Sequence, residues 1–369
     1  MSPPGRPKGE YRRAQPEGIL MTVVPLAEAW AKQIAFCDAG GSPFTARVLE
    51  AVWAAHEHGG ALDALLPYWP GNAWADAVPL RVAGALHALA LSGADAELAA
   101  LYPPARNAFD AERGPAAVAR ALAEHRVLVA EYLARAPQTN EIGRSAVLLG
   151  GFAAIARETA LPLATREIGA SAGLNQLWHR YRYALGDDLQ WGDAASPVLI
   201  HSDWQGKPPP LPAHIDVASH AASDLSPVDL SAPGAAMRLQ SYVWPDQQER
   251  LARLRAAITL AQTLGVCVEA ADALDWARRE LAVSRPGRAT VLYHSVMWQY
   301  LPEPTREALR QVIADAGLRA TREAPLAWLA FEVAGADAQC ELALTLWPGG
   351  ARRVLAAAHP HGGWVRWLT

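Results

Sequence analysis

The sequence predicts an α/β protein preceded by an all-helical N-terminal domain. Three observations carry this expectation. Up to about residue 160 the apolar residues recur at helical spacing, and no convincing strand occurs. From Leu163 onward, short apolar runs alternate with helix patterns, which implies a largely parallel sheet with helices on both faces. Residues 181–212 interrupt that alternation with a stretch rich in Trp, Gly, Pro and Asp, read as an insertion of short strands and turns and a candidate lid. The expected domains are a tail over residues 1–24, a helical domain over 25–140 and a sheet domain over 141–369 carrying the insertion.

The elements follow in order. A helix from Pro25 to Ala39 stops at Gly40-Gly41. Ser42-Pro43 then offers an N-cap and a proline at the first helical position, and that helix stops at Gly59-Gly60. Further helices are read over Val78–Leu91, Pro115–Ala134 and Glu141–Thr159, the last following the capping pair Thr139-Asn140. Strands are read over Leu163–Ile168, Ala289–His294, Leu326–Val333, Glu341–Trp347 and Arg353–His359, with weaker candidates at Ile215–His220 and Val266–Glu269. Asp246–Leu264 is a helix with Leu251, Leu254 and Ile258 on one face, and Glu303–Ala316 is a second, ended by Gly317. Trp347-Pro348-Gly349-Gly350-Ala351 joins the last two strong strands as an antiparallel hairpin.

Composition bounds the function classes. Half the 369 residues are hydrophobic and 19% are charged, as in a globular protein. The net charge of −4 gives no basic excess for nucleic acid or an anionic membrane as principal partner. Cys37, Cys267 and Cys340 lie far apart and form no zinc framework, and they fit a reducing, cytoplasmic setting. No apolar run is long enough to span a membrane; the longest, Ala146–Ala156, is interrupted by Gly150-Gly151. Met1–Pro16 is basic and proline-rich, is expected to be disordered, and lacks the apolar middle of a signal peptide. Patterned sequence begins just after Met21, a candidate natural start.

The most informative stretch runs from Leu163 to Asn175. An apolar strand ends at Glu167 and breaks into Gly169-Ala170-Ser171-Ala172-Gly173 before a helix-like segment. A bend with so few bulky side chains lets a ligand approach the backbone, with a helix N-terminus behind it. The spelling fits three readings: the Gly-x-Ser-x-Gly elbow of a serine hydrolase with Ser171 as nucleophile, the small-residue loop that holds S-adenosylmethionine, or a connection with no ligand. Everything upstream is helical, so an oxyanion loop after an early strand is missing. Glu167 has no use in a hydrolase but suits a cationic ligand. Asp224, after a later strand, stands where nucleotide-binding sheets bond a ribose. These observations favour the second reading. Ser171 with downstream Asp275, His294 or His359 keeps the hydrolase open, and the strict Gly-x-Gly-x-x-Gly dinucleotide motif is absent.

Several segments resemble a bacterial family known only as a domain of unknown function. They are Thr139–Ala146, Glu167–Asn175, Trp244-Pro245-Asp246-Gln247 and His294–Tyr300, and the resemblance runs from about residue 25 to the end. The C-terminal half of that family is similar to class I S-adenosylmethionine-dependent methyltransferases, which implies a Rossmann-like sheet and S-adenosylmethionine as cofactor. By matching position, the resemblance implies that Glu167, Gly169, Ser171 and Gly173 form the methionine and ribose pocket. Asp224 would contact the ribose. Asp272 and Ala273 would meet the adenine, and His294 to Trp298 would face the sulfonium and a small-molecule acceptor. The long span from Gly173 to Asp224 requires the insertion to loop out. No helix pattern precedes the final hairpin between Val333 and Glu341. No Asn/Asp-Pro-Pro-aromatic motif follows the fourth strand, so methylation of planar amide or base nitrogens gains no support.

The remaining candidates have two uses each. Asn140 and Glu141 read as a cap and a first-turn acid, whereas Arg144 suits the carboxylate of a cofactor or substrate through two-point hydrogen bonding. His294 and Tyr300 are the candidate acid–base residues, and Trp298 is a candidate wall of the acceptor pocket. The pairs His56/His58 and His359/His361 lack acids or cysteines at ligand spacing, so no metal is expected. A non-catalytic ligand-binding protein remains the third alternative.

Overall fold

The computed structural model describes residues 24–57, 59, 61–66, 69–335 and 339–368. The expected tail, apart from its last residue, and His58 lie outside the described residues. The chain divides into two compact units: one holds the residues up to Thr139 together with Ala232–Arg255, the other Asn140–Ser231 and Ala256–Thr369.

The first unit is helical. It contains α1 (Leu26–Ala39), α2 (Pro43–Glu57), α3 (Ala61–Leu65), α4 (Val78–Ser92), α5 (Ala96–Leu101), α6 (Gly114–Glu124) and α7 (Arg126–Leu133). The sequence suggested one helix over Pro115–Ala134; the chain breaks at His125, and the short α3 and α5 carry too few apolar positions to show a period. Trp30, Leu49, Val52, Val82, Leu86 and Leu122 form its core, and the Trp30 indole N–H donates to the Leu49 carbonyl at 3.0 Å.

This unit also takes residues 232–255, which the sequence reading left in the sheet domain. Tyr242, Met237 and Trp244 join its core. The Trp244-Pro245-Asp246-Gln247 segment therefore has a packing role. Asp246 accepts hydrogen bonds from the Ser42 hydroxyl (2.5 Å) and the Phe44 backbone N–H (3.2 Å), satisfying the open end of α2. Trp244 lies over Gly40, where an added Cβ would come within 2.9 Å of its ring.

The second unit begins with α8 (Ser145–Thr159), after a 3-10 turn at Ile142–Arg144, and an eleven-stranded mixed sheet follows. Its strands are β1 (Leu163–Ile168), β2 (Arg182–Leu185), β3 (Leu189–Trp191), β4 (Leu199–Gln205), β5 (Val217–Asp224), β6 (Glu269–Ala270), β7 (Ala289–Ser295), β8 (Leu326–Val333), β9 (Cys340–Trp347), β10 (Arg352–Ala358) and β11 (Trp364–Trp367). The remaining helices are α9 (Ala235–Ser241, first unit), α10 (Gln248–Leu264), α11 (Ala273–Ala282) and α12 (Glu303–Leu318). The order across the sheet is β3-β2-β4-β11-β10-β9-β8-β7-β1-β5-β6.

The stretch β6-β5-β1-β7-β8 is wholly parallel, β8-β9-β10-β11 is an antiparallel meander, and β11 pairs parallel with β4. The sheet is thus mixed rather than largely parallel. As expected, β8 turns into β9 with no helix among the described residues between them. The 181–212 insertion is not a lid: β2, β3 and β4 extend one edge of the sheet.

Both faces of the sheet are covered. On one, α11 and α12 pack Trp276, Leu309 and Ile313 onto Ile168, Leu292 and Leu326. On the other, α8 sets Phe152 edge-on against Tyr293. Its Gly150-Gly151 pair, which interrupts the apolar run, is explained here. An added Cβ would come within 2.0 Å of the Trp367 ring at Gly150 and 2.5 Å of Leu329 at Gly151, so only glycine lets the helix settle on the strands. No helix among the described residues is long and apolar enough to cross a membrane.

Candidate active site at the carboxyl edge of the sheet

From β1 the chain crosses to the far edge to form β2–β4, then adds β5 and β6 on one side of β1 and β7 and β8 on the other. Reversals of this kind are where ligands bind in open α/β sheets generally. Glu167, Asp224, His294 and Glu332 stand at the carboxyl ends of β1, β5, β7 and β8 respectively.

Glu167 is 2% exposed. It pairs in register with Tyr293 on β7, whose hydroxyl donates to its Oε2 at 2.9 Å. Burial pushes its pKa up to about 8; the Tyr293 hydrogen bond opposes this, the Asp224 charge adds to it, and the Arg144 charge opposes it. Among the described residues no basic side chain forms an ion pair with it.

Arg144 lies at the start of α8. Its Nε donates to the Pro360 carbonyl (2.9 Å) and one Nη to the Ser295 carbonyl (3.1 Å), with no carboxylate in direct contact among the described residues. Burial lowers its pKa, against the pull of Glu141, Glu332, Tyr300 and Cys340. This edge of the sheet therefore carries a buried acid, weakly influenced by the charge of a half-buried arginine with which it forms no ion pair.

The glycine-rich bend is tighter than the sequence suggested. Gly169, Ser171 and Gly173 all have positive φ, at 70°, 54° and 74°. An added Cβ at Gly169 would come within 2.8 Å of Met297, and at Gly173 within 2.5 Å of Gln176 and 2.7 Å of Val268. The small residues accommodate this chain's own side chains, which corrects the expectation of open space for a ligand beside each glycine. Asp224 is also committed: its Oδ2 accepts from the Ser171 N–H at 2.8 Å and its Oδ1 from the Ser226 N–H at 2.9 Å. It clamps two loops rather than presenting a free carboxylate to a ribose. Ser171 Oγ is buried with no hydrogen-bond partner.

The segment after the bend, Leu174–Arg180, is a 3-10 helix. Its leading Leu174 N–H is taken by Asn140 Oδ1 at 2.8 Å, so the N-terminus expected to face a ligand is already capped. Asn140 is thus a cap, but for this segment. Glu141 accepts from the Gly143 N–H (2.8 Å) and caps its own turn. Asn175 closes the interlock by accepting from the Ser145 hydroxyl at 2.8 Å. Residues 140–145 and 174–175 hold each other through these bonds, a role that residue types alone did not reveal.

Asp272 is exposed and caps α11, accepting from the N–H groups of Leu274 and Asp275, while Ala273 is the buried first residue of that helix. Asp272 thus spends Oδ1 on the helix end.

His294, 1% exposed, is fully engaged. Trp328 Nε1–H donates to its Nε2 at 3.0 Å, which assigns the ring proton to Nδ1, and Nδ1 donates to Glu332 at 2.6 Å. Glu332 also accepts from the N–H groups of Met297 and Trp298, both at 3.2 Å. Trp298 stacks on the imidazole at 4.9 Å. With neither nitrogen open to a substrate, the expected general base is instead a structural hub. Glu332 and Trp328 escaped the sequence reading; the one available signal was a carboxylate near the end of the otherwise apolar run Leu326–Val333. Tyr300 is half-buried in the following 3-10 turn, close enough for its charge to act on Arg144.

The second histidine pair lies in the β10–β11 turn, with the His359 and His361 rings 5.4 Å apart. Elsewhere, Asp95, Glu124 and His125 bring three ligand-type atoms together, but Arg120 bonds Asp95 through both carboxylate oxygens and also bonds Glu124. A guanidinium already supplies the positive charge that an ion would bring.

These features define a two-unit protein with a mixed α/β sheet and an unpaired acid–base couple at its switch point. Residues 27–367 match the family described as "uncharacterized protein conserved in bacteria (DUF2332)", and the chain belongs to that family. No match was found among curated proteins or among solved structures.

Proposed function

We propose that the crevice between the ends of β1 and β7 binds S-adenosylmethionine and that the protein transfers its methyl group to a small acceptor. The observation that carries this reading is the unpaired couple of Glu167 and Arg144. A buried carboxyl at the end of the first strand and a half-buried guanidinium bonded, among the described residues, by carbonyls suit the ammonium and carboxylate of one amino-acid ligand. Ser171 Oγ, buried without a partner, adds a donor or acceptor beside them.

The fit is confined to the amino-acid end, because Asp224 and Asp272, matched by resemblance to ribose and adenine, bond backbone N–H groups. When bound, the cofactor supplies a methyl carried on a sulfonium. The protein's part is then to align the two reactants and exclude water, not to furnish a strong base. A committed His294 is compatible with that demand. It gives no support to a serine hydrolase, since among the described residues no histidine bonds Ser171 Oγ.

The same committed imidazole favours one other reading, a non-catalytic protein that binds an amino-acid-like ligand at this edge. Thermal melts of the full chain with S-adenosylmethionine, S-adenosylhomocysteine and NAD test the proposal. The first two are expected to raise Tm and NAD is not, with the rise lost in Arg144→Met. No rise with either adenosyl compound overturns it.

A further inference from the structure

The helical unit contains a pocket that the sheet crevice does not explain. It is framed by α2, α4 and residues 241–245, and its walls are mainly apolar, among them Val48, Leu80, Ala83, Val243 and Trp244. Its empty space, part of it open to solvent, is about 430 Å³. Among the polar side chains lining it, His87 Nε2 and the Tyr102 hydroxyl are buried atoms with no hydrogen bond. They are 1% and 3% exposed. Their rings stack 6.0 Å apart without bonding one another.

The polarity at His87 is fixed. Its Nδ1 faces the Ser241 carbonyl at 3.1 Å, so Nδ1 carries the proton and Nε2 presents a lone pair. Burial holds the pKa of this imidazole down at about 4, against the carbonyls of Ser241 and Val243 and with the Arg255 charge adding to the fall. It is therefore a neutral acceptor near pH 7, and an anion gains nothing from it. The Tyr242 hydroxyl, also buried and unbonded, lies toward Arg238.

Leaving a buried acceptor and a buried hydroxyl unsatisfied is costly, and native proteins rarely place two side by side without something between them. We propose that this pocket is a binding site for a small, neutral, hydroxyl-bearing molecule with an apolar body. Its hydroxyl donates to His87 Nε2 and accepts from Tyr102, and its carbons lie against Val48, Leu80 and Trp244. The competing occupant is ordered water, for which the pocket also has room.

Phenol, toluene and benzoate, titrated separately into the full-length protein by calorimetry, distinguish these occupants. Phenol is expected to bind and to shift the His87 ring signals in NMR spectra, while toluene, lacking the hydroxyl, and benzoate, an anion, bind far more weakly. Tyr102→Phe deletes only a hydroxyl that has no partner, so the fold should be kept or strengthened, and phenol affinity is expected to fall roughly tenfold. Absence of phenol binding, equal binding of toluene, or undiminished affinity in Tyr102→Phe overturns the proposal and assigns the cavity to ordered water.

Discussion

A carboxyl group at 2% exposure, bonded by one tyrosine, has an energetic signature that can be measured. Glu167 titrates near its ordinary value in the unfolded chain and at about 8 in the folded one. The native state therefore holds the extra proton between those two values. Its stabilising contribution is complete below the unfolded pKa and is lost as pH rises through the folded one. Urea denaturation at intervals from pH 5 to 8.5 should show this decline. Glu167→Gln should flatten it and be more stable than the parent at pH 8.5 by about 2–4 kcal/mol. A decline of equal size in the variant would assign the effect to other groups. A second prediction at this scale concerns His294. Its nitrogen-15 spectrum at pH 7.5 should show a protonated Nδ1 and an unprotonated Nε2, and the reverse tautomer would contradict the Trp328 hydrogen bond.

Among the elements, the start of α2 shows what was legible and what was not. Ser42-Pro43 announced it, because serine and proline have local reasons to stand at a helix start. The acceptor that closes that end is Asp246, some two hundred residues away, and no local rule points to it. Asp246→Ala should therefore cost about 1–2 kcal/mol in chemical denaturation, although position 246 reads as the opening of another helix. An effect below about half a kcal/mol would mean that water replaces the carboxylate as acceptor. The central strands were legible in the same way: β1 and β7 are buried on both faces and β8 on one, so their apolar runs stand out. β6 has two residues and β11 four, too short to show any alternation. The bend at 169–173 was recognised from its glycines. What fills it was not, because Met297, Gln176 and Val268 reach it only through tertiary packing.

Across the whole molecule, the helical unit is discontinuous in sequence. A fragment spanning residues 24–139 lacks Met237, Tyr242 and Trp244 from its core, and with Asp246 it loses the α2 cap. Such a fragment should melt without a cooperative transition, and joining residues 232–255 to it by a flexible linker should restore one. Cooperative melting of 24–139 alone would show that the returning segment is dispensable. The border expected at residue 140 stands before the helix that leads into the first strand, and local periodicity carries no information about a later segment crossing back.

The position of β11 bears on how the protein is made. This four-residue strand lies between β10 and β4 and joins the two parts of the sheet. On the ribosome, β4 is complete at residue 205, yet its partner is unavailable until residue 367 has emerged. At about 5–20 residues per second that interval is roughly 10–30 s. For its duration the β2-β3-β4 ribbon carries an unpaired edge able to recruit a neighbouring nascent chain, which makes translation speed over the 160 or so codons between β4 and β11 a determinant of yield.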